Sequence, residues 1–152
     1  MDTILNYLRV LAAAETRTDD LTVVTPQQFT PEEILDAINE CADSDGEVLH
    51  GAVVHLLCMD RNADPRVMLE KLRRMGPHLI WPIVAGVMER HAEERHVDTV
   101  ILAVKRCRMM DREILFAALT RIADPANAAA FKLVERYLRY GDQHSRYAAV
   151  KA

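Results

Sequence analysis

A chain of 152 residues, half of them hydrophobic and 28% charged, has enough apolar side chains to build a core without staples and too many for a disordered segment. Three widely spaced cysteines exclude a disulfide framework, and the longest uncharged apolar run, Leu79 to Met88, is about half of what a bilayer span needs. The formal net charge of −4 hides a segregation: residues 1–60 carry Arg9 and Arg17 against twelve acidic side chains, whereas residues 61–152 carry seventeen basic against eleven acidic. Such polarity bears on partners and encounter rates more than on fold.

In chain order, Met1-Asp2-Thr3-Ile4-Leu5 has no basic leader and meets Asn6 and Arg9 before an apolar run can develop, so no signal peptide is expected and a cytoplasmic location follows by default. Ile4, Leu5, Leu8, Leu11 and Ala12 recur at helical spacing and predict a helix over 2–15. Residues 16–28 are polar apart from Leu21, Val23 and Val24, which predicts a loop with one short extended piece.

Phe29-Thr30-Pro31-Glu32-Glu33-Ile34 is the clearest local signal. Thr30 can cap the free backbone donors, Pro31 suits the first helical position, Glu33 can reach back to close a capping box, and Phe29 can staple onto Ile34. The helix predicted over 31–43 places Ile34, Leu35, Ile38, Cys41 and Ala42 on one face, opposite Asp36, Glu40 and Asp43. A third helix over 46–59 carries the stripe Leu49, Ala52, Val53, Leu56 and Leu57. Asp64-Pro65 and Asp124-Pro125 each place a capping carboxylate before a first-turn proline, predicting helices over 65–75 and 125–140 that stop at Gly76 and Gly141.

Leu79 to Met88 is apolar all round, so a helix over 78–93 is expected to be central, with a kink near Trp81 caused by Pro82. Val97, Val100, Ile101, Val104 and Cys107 predict a helix over 96–108, and Ile114, Leu115, Ala118, Leu119 and Ile122 one over 111–123. The tail from 141 to 152 has weak periodicity and is expected to fray. The fold class is therefore all-α: a single domain of about eight short helices, either an irregular bundle or stacked antiparallel hairpins. A faint echo, Cys58-Met59-Asp60-Arg61 against Met109-Met110-Asp111-Arg112 and Ala63-Asp64-Pro65 against Ala123-Asp124-Pro125, has unequal offsets of 51 and 60, whereas a true repeat keeps one period.

Chemistry-bearing patterns are weak. His91 and Glu94 share a helix face but His96 lies five residues from His91, unlike the four-residue pairing of zinc-binding helices. That segment reads as a solvated helix end and turn. His50 and His55 are likewise five apart, and His55 falls among Val53, Val54, Leu56 and Leu57 as a neutral histidine at the edge of the core. Cys41, Cys58 and Cys107 read as small buried hydrophobes. Ser44 and Ser145 lack the context of an activated nucleophile, and the scattered glycines form no phosphate-cradling loop. No catalytic residue, metal ligand or cofactor site is expected.

Charge offers two candidate surfaces. Asp36, Glu40, Asp43, Asp45 and Glu47 crowd one helix end and the next turn, an acidic patch fit for a basic partner. Between residues 61 and 112 lie Arg61, Arg66, Lys71, Arg73 and Arg74, then Lys105, Arg106, Arg108 and Arg112. Of these, Arg73, Arg74, Lys105, Arg106, Arg108 and Arg112 form the candidate basic patch. The expected function is a non-enzymatic protein–protein interaction module, an adaptor, chaperone or inhibitor, that docks a macromolecule through a charge-polarised surface. A DNA- or RNA-binding regulator using the basic residues ranks behind it, because the pI is about 5.8 and no aromatic side chains interleave with the cations. A small helical hydrolase ranks last. A protein partner is expected, a membrane is not, and self-association into a homodimer is compatible with the pattern.

Overall fold

The computed structural model describes residues 2–16, 29–41, 46–75, 77–141 and 149–150. All regular structure in these segments is helical: α1 (Asp2–Thr16), α2 (Pro31–Cys41), α3 (Gly46–Val54), a π-helical turn (His55–Met59), α4 (Pro65–Met75), α5 (Pro77–His91), α6 (Val97–Arg106), α7 (Arg112–Ile122) and α8 (Ala128–Tyr140), with 3-10 turns at Glu94–His96 and Met109–Asp111. The all-α expectation is met. The chain divides into two compact units, Met1–Ile80 and Trp81–Ala152, and the division falls inside α5.

The first unit is organised around α3, which packs against α1 and α2, while α4 packs on the π-helical turn and on α2. Tyr7, Leu8, Leu11 and Ala12 of α1, Ile34, Ala37 and Ile38 of α2, and Met68, Leu69 and Leu72 of α4 supply its core. Every residue of α3 and the π turn from Val48 to Leu57 is buried except the half-buried His50. Gly51 explains the depth, because a Cβ there would overlap the Leu8 backbone carbonyl. Only a residue without a side chain lets the two backbones approach this closely.

Local capping follows the sequence grammar at two of three helix starts. Thr30 and Glu33 form a reciprocal box, Glu33 N–H donating to Thr30 Oγ1 at 3.2 Å and Thr30 N–H to Glu33 Oε2 at 3.0 Å. Asp64 Oδ1 accepts from Arg66 N–H at 2.9 Å. The third start differs from expectation. Asp124 accepts from Ala126 N–H at 2.8 Å, but this closes a turn, and α8 begins three residues later at Ala128 with Asn127 Oδ1 accepting from Ala130 N–H at 3.0 Å. Asparagine is as good an N-cap as aspartate, so the later cap takes the helix.

In the second unit α6 packs against α7 and α8. Its core draws on Trp81, Val84, Val87 and Met88 of α5, the whole expected stripe of α6, and Leu115, Phe116, Ala118, Leu119 and Ile122 of α7. The helix α5 is covered on several sides, with Ile80, Trp81, Val84, Ala85, Val87 and Met88 buried, and keeps a solvent edge: Pro82, Glu89 and Arg90 are exposed and Ile83 and Gly86 half-buried, an edge that its sequence disguises because Pro82 and Gly86 carry no polar side chain. The helix α8 stops at Gly141 as expected, but that glycine has φ −71° and ψ 159° and not the left-handed conformation for which glycine is favoured at helix ends. Gly76 and the segments 17–28, 42–45 and 142–148 lie outside the described residues, as do the expected loop and most of the expected frayed tail.

Candidate functional site

Of the acidic candidates, Asp36 and Glu40 lie on the solvent face of α2, opposite the buried Ile34, Ala37 and Ile38, and Glu47 is exposed in the first turn of α3. Glu32 and Glu33 extend the same helix face. Glu33 is engaged in the capping box and Glu32 faces Lys71 of α4 across 3.9 Å. Among the described residues no cation pairs with Asp36 or Glu40, which sit one turn apart and repel each other by a few tenths of a kcal/mol, on the order of 0.3. Asp43 and Asp45 lie outside the described residues.

The basic candidates are divided between the two units. Arg73 and Arg74 belong to the last turn of α4 in the first unit, and Lys105, Arg106, Arg108 and Arg112 to the second. Half of them are engaged within their own unit. Arg73 donates to Glu70 at 2.9 and 3.2 Å. Arg108 grips the buried Asp111 at 3.0 and 3.4 Å. Arg112 donates to the Val104 carbonyl at 3.4 Å and stacks over the Tyr137 ring at 5.0 Å, with Tyr137 edge-on to Phe116. Arg73 braces its own helix, Arg108 the turn that follows it, and Arg112 ties α7 to α6 and α8, leaving Arg74, Lys105 and Arg106 as the exposed cations of the set.

Two histidines, His55 and His96, are built into the fold in a way the sequence only half announces. His55 is buried in the π-helical turn, its Nδ1 hydrogen-bonded to the Tyr7 hydroxyl at 2.8 Å and its ring edge-on to Tyr7 at 5.4 Å, while Tyr7 also meets Phe29 at 5.5 Å. Burial lowers its pKa from the ordinary 6.5, and Asp60 opposes that shift. Tyr7 was not among the expected participants. Its position, three residues after Ile4 and four before Leu11, places it in the α1 stripe, which is the signal that finds it.

His96, expected on a solvated turn, is fully buried. Its Nδ1 accepts from Glu93 N–H at 2.9 Å, while the Glu93 side chain accepts from His96 N–H, a reciprocal cap on the 3-10 turn. Among the described residues no three His, Cys, Asp or Glu side chains are grouped to hold a metal ion. Cys107 is buried and donates weakly to the Val104 carbonyl at 3.5 Å, and burial pushes its thiol up to about 11, so it is a poor nucleophile at neutral pH. Cys58 is half-buried, less enclosed than expected, and the Cys41 side chain lies outside the described set.

No protein-family model, curated protein or solved structure matches this chain. Among the described residues no helix is long and apolar enough to cross a membrane.

Proposed function

We propose that the chain is a non-enzymatic protein–protein interaction module, an adaptor, chaperone or inhibitor, whose first unit captures a basic partner on the acidic face of α2. One observation carries this reading: the division into packing units follows the division of charge. Residues 1–80 hold seven basic against fourteen acidic side chains, and residues 81–152 twelve against nine. Asp36 and Glu40 stand where a partner's lysines and arginines reach them, and nothing on the described surface discharges them. A field of one sign on one packing unit speeds encounter with the opposite sign and makes association salt-sensitive.

The nucleic-acid reading draws less support, since Arg73, Arg108 and Arg112 are turned to intramolecular work. The test is fluorescence anisotropy of a lysine-rich peptide and of a labelled DNA duplex at two salt concentrations. Binding of the peptide, weakened about tenfold by Asp36→Lys with Glu40→Lys and by high salt, is the expected result. Equal peptide affinity in the reversed variant removes the acidic face as the site, and preferential binding of the duplex transfers the function to the basic residues.

A further inference from the structure

We propose that the outer surface of the second unit formed by α8 and the 3-10 turn at Met109–Asp111 is a docking site for an acidic amphipathic helix of a partner protein. Four of the large apolar side chains left in solvent in this unit belong to these two elements: Met109 at 48%, Met110 at 68%, Phe131 at 66% and Leu138 at 42% exposed. The α8 helix buries Ala130 and Leu133 against the unit, and Phe131 and Leu138, seven residues apart, lie two turns from each other along its outer edge.

The methionine turn is tied to the same end of the unit. Arg112, the residue immediately after it, lies over the ring of Tyr137, the neighbour of Leu138 in α8. The turn is also fixed in place, because Asp111 within it is buried and gripped by Arg108. Two flexible thioethers on a rigid turn, together with a phenyl and an isobutyl group exposed on α8 of the same unit, offer apolar surface that adapts to the shape of what it meets.

Charge selects the occupant. Around the helix from Phe131, α8 carries Glu135 and Arg139 at about 40° and 80°, and then the exposed Lys132 and Arg136 at about 100° and 140°. Its one acid, Glu135, is occupied by Arg139 at 2.9 Å. The partner must therefore bring apolar anchors to cover Phe131, Leu138 and the methionines, and carboxylates along one flank to meet Lys132 and Arg136. A helix laid along α8 presents both at the required spacing. A nucleic-acid strand meets the cations but leaves Phe131 and Met110 in water, and a basic helix is repelled.

This site shares no residue with the acidic face of α2, and one experiment distinguishes them. A labelled amphipathic peptide about four turns long, with leucines on one face and glutamates on its flank, is titrated with the full chain and followed by anisotropy. Saturable binding is expected. Phe131→Ala with Leu138→Ala, and separately Lys132→Glu with Arg136→Glu, each weaken it about tenfold or more. Replacing the peptide's leucines by serine abolishes binding, while Asp36→Lys with Glu40→Lys leaves it unchanged. All substituted positions are exposed, so unaltered circular dichroism accompanies the loss. The proposal is overturned if the peptide does not saturate, if both α8 double variants bind it as the native chain does, or if only phosphatidylserine vesicles are bound. A concentration-dependent dimer that disappears in Phe131→Ala with Leu138→Ala, without peptide binding, overturns it equally.

Discussion

Among the described residues of the first unit, His55 is the titratable side chain whose burial has a pH signature within reach of ordinary buffers. In the neutral ring with its proton on Nε2, the Tyr7 hydroxyl donates to Nδ1; adding a proton leaves a cation enclosed by α1 and the π turn with Asp60 as its opposing charge. Because the folded ring is harder to protonate than the free one, the unfolded chain takes up the proton first. The stabilising contribution is therefore intact above about pH 6.5 and is lost as pH falls through the lower folded value. Urea midpoints at pH 7.5, 6.5 and 5.5 should fall in that order, and His55→Leu should flatten the dependence; an unchanged slope would place the titrating group elsewhere. Tyr7→Phe should cost about 1 kcal/mol at pH 7.5, the net worth of one buried hydrogen bond.

At the scale of the element, the glycines respond to one substitution with opposite signs. Gly51→Ala drives a methyl group into the Leu8 carbonyl and should destabilise the chain by about 3 kcal/mol, because neither backbone can yield cheaply. Gly86→Ala, in the middle of α5 with open space around its Cβ position, should stabilise by about 0.5–1 kcal/mol through helix propensity alone. Asn127→Ala should cost about 1 kcal/mol by uncapping α8, and more than Asp124→Ala, since only the former side chain caps the helix itself. Denaturant titration of the four variants checks all of these together. The helices themselves were legible because apolar residues recur at 3.6 spacing and because Thr30 and Asp64 supply caps. What misled was chemical neutrality: Pro82 and Gly86 make an exposed edge read as core, and Asp124-Pro125 mimics a helix start that Asn127 actually supplies. The intimacy of α1 and α3 was hidden for the converse reason, since a glycine marks a close approach only once its neighbour is known.

For the whole molecule, the separation of charge between the two units was readable by counting, whereas the fate of individual cations was not. Arg108 and Arg112 look like surface charges in the sequence; the one is spent on Asp111 three residues away and the other on an aromatic ring from α8, contacts that depend on how the corner between α6 and α7 turns. Acid residues on α2 remain at the surface because that helix hides its opposite face against α3. The rate at which a lysine-rich peptide associates should accordingly fall about tenfold between 50 and 500 mM sodium chloride while dissociation changes less, as stopped-flow traces would show; salt-independent association would mean that contact chemistry and not the field governs capture.

The border between the units cuts α5 one turn after its start, between Ile80 and Trp81, with no change of secondary structure. Dissection at that border would leave a four-residue stub on one fragment and open the other at Trp81, neither piece retaining enough turns to stay wound unaided. Fragments meant to isolate one half should instead break before Pro77 or after His91, keeping the entire rod with whichever side is under study. A half-length product that unravels after a cut at residue 80 would therefore report a severed rod, and not any inability of that half to fold.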